Sequence, residues 1–369
     1  MSVAGISPSA PEKSYNHSLL PKQGKCRVSA TDGDSLPNRR ADAPKRSRWV
    51  AIVAVVVVAI LVVGAFAWFT VSTGNKKSGY TKRSPIVIIG NANFTAANGV
   101  IGGSGNVSDP YVIANWDIDA AKLGGIYIWS TDAHFIIRNC YVHGGSTILV
   151  DSKTGIDLDN CSNGTLSSND CSGNLAGIEL DGYRGLSHNI TIVNNTCNSN
   201  GENGITLGLS DNNTLISNKC LSNGRFGIVL DSSSNNIACN NIVSHTTGFG
   251  IYILTEFGQT STRNRIWNNT LTGNNGAGSK YSPTHIQAND SGTGNWWNST
   301  NGYGNYWSDW QSPSLPYTIS GKADAKDNYP LATTPLPIQS FGVVLSVHTA
   351  QLWLYRVLRE PNMKSISFS

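Results

Sequence analysis

Two pairs of carboxylates are placed to do chemistry in this chain, Asp157 with Asp159 and Glu179 with Asp181. Within each pair the spacing is i, i+2, so a β-strand would turn both side chains to one face. The pairs are 22 residues apart. If that interval is one turn of a stacked repeat, the two strands lie side by side. Neighbours across strands then sit roughly 5 Å apart, and neighbours along a strand roughly 6.7 Å. Like charges opposed so closely destabilise a sheet, so the cluster asks for a cation, a proton or a partner. Carboxylate oxygens suit a hard cation such as Ca²⁺, which makes Asp157, Asp159, Glu179 and Asp181 candidate metal ligands. The same spacing permits a glycosidase pair, with Asp157, Glu179 and Asp181 as candidate catalytic groups. A Ca²⁺-assisted polysaccharide lyase would also need a basic residue, and Lys153 and Arg184 are the nearest in sequence. Tyr127 and Trp129 hold the equivalent positions one repeat earlier. Aromatics beside carboxylates suit sugars, so these two join the four acids as a candidate ligand-binding set. A plainer reading stands beside it. Asp159, Asp181 and Asp231 close their strands before turns, where aspartate is common, and solvent can screen the cluster.

The elements that must hold these residues are visible as a repeat of glycine, aliphatic, any residue, aliphatic. It occurs at Gly125, Gly155, Gly177, Gly204, Gly227 and Gly250, at intervals of 30, 22, 27, 23 and 23 residues, and every aliphatic position is Ile or Leu. A recurring interval of this size marks a stacked repeat, and its alternation has the period of a strand. Each unit carries a second strand ending in an asparagine: Asn139, Asn169, Asn195, Asn218, Asn241 and Asn269. Two residues later come Tyr141, Cys171, Cys197, Cys220, Val243 and Leu271, which are mostly apolar. Short strands joined by Asn-, Ser-, Gly- and Thr-rich turns describe the coils of a parallel β-helix. Ile and Leu would stack inside the tube, and the asparagines would stack at a turn and bond along the axis. Cys171, Cys197 and Cys220 form a column of small apolar side chains; adjacent strands are too far apart to bridge them without distortion. The ligands are not spaced as the C-x-x-C pairs of a zinc site.

Charge separates the chain into parts. Residues 1–48 hold nine Lys/Arg against four Asp/Glu, whereas residues 84–340 hold eleven against eighteen. The acidic body excludes nucleic acid as a natural partner, and the basic excess belongs to a tail expected to be disordered. Trp49 to Phe69 is a charge-free run of 21 residues. As a helix it would span about 31 Å, enough for a bilayer core. We expect a transmembrane anchor over 49–71; Ala65-Phe66-Ala67 leaves a cleaved signal as the rival. A linker follows over 72–83. The charges flanking the run favour a cytoplasmic N-terminus by a small margin. Ten N-x-[ST] triplets beyond it, from Asn93 to Asn298, agree with an extracellular domain and mark a glycoprotein, although rungs rich in these residues generate such triplets by themselves.

The β-helix is expected over 84–331. Its open ends need covering, by a leader over 84–120 and by the aromatic stretch 295–331, with Trp296, Trp297, Tyr303, Tyr306, Trp307, Trp310 and Tyr317. Stacking on sugar rings is the alternative use of those aromatics. The 30-residue first interval implies a loop near 143–153, and 332–369 forms a tail with an apolar part at 341–358.

The leader Gly99-Val100-Ile101-Gly102-Gly103-Ser104-Gly105, then Asp109-Pro110-Tyr111-Val112-Ile113, is followed much later by Gly304-Asn305-Tyr306-Trp307-Ser308-Asp309, Pro316-Tyr317-Thr318-Ile319 and Asp327-Asn328-Tyr329-Pro330-Leu331. With the rungs, these make residues 84–331 resemble the NosD-like right-handed parallel β-helix proteins, with PbH1 repeats, common among archaeal cell-surface proteins. The resemblance implies a right-handed coil and a surface protein, with no settled chemistry. NosD itself is associated with copper-site maturation, which would need clustered Met, Cys or His. Here the only methionines are Met1 and Met363, and His17, His134, His143, His188, His245, His285 and His348 are scattered. The expected function is therefore glycan recognition or adhesion by a single-pass, membrane-anchored extracellular β-helix. A polysaccharide lyase or glycoside hydrolase using the acidic patch is the alternative, with Ca²⁺ as the cofactor either reading could take.

Overall fold

The computed structural model describes residues 79–145, 153–256 and 258–336. The basic tail at 1–48, the expected anchor at 49–71, the linker as far as residue 78, most of the loop near 143–153 and the tail from 337 onward lie outside the described residues. Among the described residues no helix is long and apolar enough to cross a membrane.

The repeated Ile/Leu alternation builds strands, and the strands stack in parallel as a β-helix. The first sheet has eight: Ile86–Ile89, Ile126–Thr131, Ile156–Cys161, Ile178–Asp181, Ile205–Gly208, Ile228–Asp231, Ile251–Leu254 and Ala288–Asp290. A second sheet runs from Tyr111–Ala114 to Arg265–Trp267, with Val100–Gly102 added antiparallel at its edge. A third sheet follows, with Trp116–Asp119, Tyr141–His143, Lys219–Leu221, Ile242–Ser244, Thr270–Thr272 and Tyr306–Trp307, and with Asp170 and Thr196 bridging the middle turns. Sequence alternation reveals two strands per turn and misses the third, which buries a single column, Cys171, Cys197, Cys220, Val243 and Leu271, and so shows no alternation.

Like stacks on like inside the tube. Ile126, Ile156, Ile178, Ile205, Ile228 and Ile251 are in one register, as are Ile128, Leu158, Leu180, Leu207, Leu230 and Ile253. None of these is more than 1% exposed. Each contributes about 1.5–3 kcal/mol by leaving water. The repeat extends further than its glycines indicate. Pro85 precedes Ile86–Ile89, which pairs with Ile126–Thr131, and Gln287 precedes Ala288–Asp290.

The glycine of the motif has a steric cause. A Cβ on Gly155, Gly177, Gly204 or Gly227 would lie 2.5–2.7 Å from the carbonyl oxygen of the next glycine in the column. On Gly177 it would also meet the Cys197 Cβ at 2.7 Å and the Asn200 amide at 2.9 Å. Backbone cannot yield as a side chain can, so Gly177→Ala should cost about 1–3 kcal/mol. A urea titration should show the midpoint falling with an unchanged slope.

Asparagine ladders hold the turns together. Asn169 N–H donates to the Asn195 side-chain oxygen at 2.9 Å, and the pattern continues through Asn218, Asn241, Asn269 and Asn305. Asn139 is not in this ladder. It occupies the left-handed turn position (φ 50°) also taken by Ser168, Asn194 and Ser217. Cys140 stands in the ladder instead, its N–H donating to Asn169 Oδ1 at 3.0 Å. Aligning this turn on its asparagine slips it by one residue: Val142, not Tyr141, is the buried core member, and Tyr141 bridges Asp170. Two further ladders run through Asn174, Asn200 and Asn223, and through Asn213, Asn236, Asn264 and Asn295.

At the C-terminal end Trp297, Trp307 and Tyr317 are buried, with Trp307 and Tyr317 stacked at 4.0 Å. Carboxylates underlie them. The Trp297 and Trp307 indole N–H groups donate to Asp290 and Asp327 at 3.0 and 2.9 Å. At the other end Phe94 stacks on Tyr111 at 4.6 Å and lies 5.7 Å from Phe135.

Candidate functional site

The structure brings the six sequence-derived site residues together on the outer face of the first sheet. Tyr127, Asp157 and Glu179 are paired in one row, and Trp129, Asp159 and Asp181 in the next. Their backbone alternates with the buried Ile/Leu columns, which is why they face outward as a group.

Local bonding gives the four carboxylates different surroundings. Glu179 accepts from the Thr154 hydroxyl at 3.1 Å. Asp181 accepts the Tyr183 N–H at 3.0 Å, starting the turn that leaves the strand. That is the ordinary strand-end role, held alongside a place in the patch. Asp159 is only 5% exposed and lies 3.6 Å from the Arg184 guanidinium. Asp157 Oδ1, Asp159 Oδ1 and Trp129 Nε1 are buried without a hydrogen-bond partner. Burial, then the charges of Glu179, Asp181 and Asp159, pushes the Asp157 carboxyl well above the usual carboxylate range. Burial also raises Glu179, Asp159 and Asp181; the Thr154 hydroxyl, the Arg184 charge and the Tyr183 N–H respectively oppose it.

Arg184 is the residue of this patch whose position the sequence hides. It leaves the turn after Ile178–Asp181 and reaches back across two rungs. Its Nη1 donates to the Tyr127 hydroxyl at 3.0 Å, and its guanidinium carbon lies 5.0 Å from the centre of the Trp129 ring. The turn folds this way because Gly182 O accepts from Gly185 N–H at 3.2 Å. A Cβ on Gly185 would come within 2.3 Å of the Asn160 side chain. Lys153, the other basic residue near the acids in sequence, sits at the preceding corner, where its carbonyl accepts from Leu175 N–H. No long-range contact of this kind has a signal in sequence spacing.

Metal chemistry has a structural test. Among the described residues no three His, Cys, Asp or Glu side chains close on one point. For copper the donors are also wrong. Cys140, Cys161, Cys171, Cys197, Cys220 and Cys239 are free and buried. Burial pushes the Cys140 thiol up to about 11 and those of Cys161 and Cys239 to about 12, away from the thiolate that binds a soft ion. His143 is engaged with Asp117 at 2.8 Å. Met1 and Met363 lie outside the described residues. The donor set described here does not fit a copper site.

Several solved structures match at low identity and low TM-score. A mutant of the periplasmic alginate epimerase AlgG matches with 18% identity and a TM-score of 0.36, over 52% of this chain and 45% of that one. The Dettilon tailspike protein matches with 16% identity and a TM-score of 0.39, over 61% and 51%. DFA-IIIase from Arthrobacter chlorophenolicus matches with 14% identity and a TM-score of 0.37, over 57% and 53%. This chain therefore spans about half the length of each. No curated protein matches it. The family described as periplasmic copper-binding protein (NosD) matches residues 80–312, well over half of the chain, and the chain belongs to that family.

Proposed function

We propose that the β-helix binds a saccharide on the outer face of its first sheet, and that the chain serves as a membrane-anchored, extracellular recognition or adhesion protein. The observation that carries this reading is the set of three unpartnered polar atoms, the Asp157 and Asp159 oxygens and the Trp129 indole N–H. Two acceptors and a donor match sugar hydroxyls, which both donate and accept. Tyr127 and Trp129 flank them, and Tyr183, 62% exposed, adds a ring at the rim. The family's periplasmic description supports a place outside the cytoplasm, and the 49–71 run supports the anchor. Full-length protein in detergent should retain specific glycans on an array. Binding lost on Asp157→Asn or Trp129→Ala, with melting no lower than wild type, supports the patch; retention by both variants refutes it.

A second reading, as a glycoside hydrolase or polysaccharide lyase, is favoured by the unequal acids. Asp157 is pushed toward holding its proton, whereas Asp159 faces a guanidinium. Burial raises both carboxyls, Asp157 the further, and the Arg184 charge opposes the rise at Asp159, so the two groups can divide the roles of acid and base. A screen for reducing ends and unsaturated products over neutral and uronate polysaccharides, with and without Ca²⁺, separates the readings. Measurable binding without product leaves recognition alone.

A further inference from the structure

The contacts of Arg184 are those by which proteins hold a cation: a carboxylate, a phenol oxygen and the face of an indole. Yet the arginine is a poor occupant. Its side chain is 58% exposed. The 3.6 Å separation from Asp159 exceeds the roughly 2.7–2.9 Å of a charge-assisted hydrogen bond. It leaves Asp159 Oδ1 and Asp157 Oδ1 without partners, although both are buried. It stands in a short turn between Gly182 and Gly185, on a long side chain that can swing away without moving the strand. Around it are four carboxylates on two adjacent strands, which would repel an anionic ligand.

We propose that the position Arg184 occupies over Asp159 and Trp129 is a seat for an ammonium group, and that the saccharide taken there is an amino-sugar oligomer. Its protonated amine displaces Arg184 from Asp159 and Trp129 and gives Asp159 a closer partner. This rests on the saccharide-binding reading and narrows it from any glycan to a cationic one. Arg184 then acts as an internal competitor that holds these partners until ligand arrives.

The sign of one substitution tests the idea. Full-length protein is titrated calorimetrically at pH 6 with glucosamine oligomers, N-acetylglucosamine oligomers of the same length, and uronic acid oligomers. The free-amine form should bind at least about tenfold tighter than its N-acetylated counterpart, with affinity falling as salt rises. Arg184→Ala should tighten that binding, and Asp159→Asn should weaken it by about tenfold or more. Both variants are checked for unchanged melting. Weaker binding in Arg184→Ala, or preference for the uronate, overturns the ammonium seat while leaving saccharide binding intact. Binding of polylysine without binding of the amino sugar overturns it in favour of a basic peptide. Silence toward every saccharide, in wild type and Arg184→Ala alike, removes the saccharide reading and this inference with it.

Discussion

Replacing Asn218 by leucine should be among the most damaging single changes in the β-helix. The Asn218 side-chain oxygen accepts the Asn195 backbone N–H at 3.0 Å and the Asn195 amide at 3.1 Å. Its own amide donates to Ile192 O at 2.8 Å and to Asn241 Oδ1 at 3.0 Å. Leucine is nearly the same size but can do none of this, and no solvent reaches the site, since Asn195, Asn218 and Asn241 have no exposed surface. Each orphaned buried group costs about 1–3 kcal/mol, so the total should be roughly 3–6 kcal/mol, a large part of a typical domain's stability. The matching control is Asn139→Gly. That residue sits at φ 50° outside the ladder, so the change should be close to neutral. Denaturant midpoints for the two variants distinguish the ladder seen here from an alignment on asparagines alone.

Acidification from neutral pH to about pH 5 should make the protein melt higher, on the order of 5 °C. Asp157, Asp159, Glu179, Asp181, Asp231, Asp309 and Asp327 all have carboxyls raised above their ordinary range, with burial the largest cause in each. Such groups bind protons more tightly folded than unfolded. Their favourable contribution is therefore complete below about pH 4, and it is lost as pH rises through the ordinary range into the raised folded values. The usual salt-bridged carboxylate has the opposite slope. Combining Asp157→Asn with Glu179→Gln keeps shape and removes one opposed pair. The double variant should melt higher than wild type at neutral pH and show a flatter pH profile. Melting with and without Ca²⁺ adds a further outcome. Should wild type gain stability from Ca²⁺ and the double variant lose that gain, the patch holds the ion and the repulsion is compensated.

The sequence made the first sheet legible because its columns repeat one residue type. Gly177-Ile178-Glu179-Leu180 and its relatives fix both strand and register, and with them the opposition of Asp157 to Glu179 and of Asp159 to Asp181. Where a column changes residue type, the signal fails. Cys140 in the asparagine ladder shifted one turn, and Gln287 in place of the glycine hid the last strand, whereas the Ile-Val-Ile-Ile run after Pro85 shows the first one directly. Asn305 escaped notice because 36 residues separate it from Asn269. The Arg184 contact could not be read at all, since it joins residues 57 apart through a turn whose path depends on packing.

The three asparagine ladders have a direction. Every asparagine-to-asparagine bond donates toward the C-terminal end, while the amides also donate back to backbone carbonyls of the preceding turn. Each begins on a plain backbone N–H, that of Cys140, Gly145 or Ile190, which any residue except proline could supply. The C-terminal end is more demanding. Asn305 donates to Asp327 and Asn295 to Asp290. A fold written in this way has a grammar. Interior turns can be duplicated or deleted as whole units, because each exports the donors it would have received. Lengthening at the start needs no special letter, whereas stopping requires a residue that accepts without donating. The two aspartates beneath the terminal tryptophans are the punctuation that tells these ladders where to end.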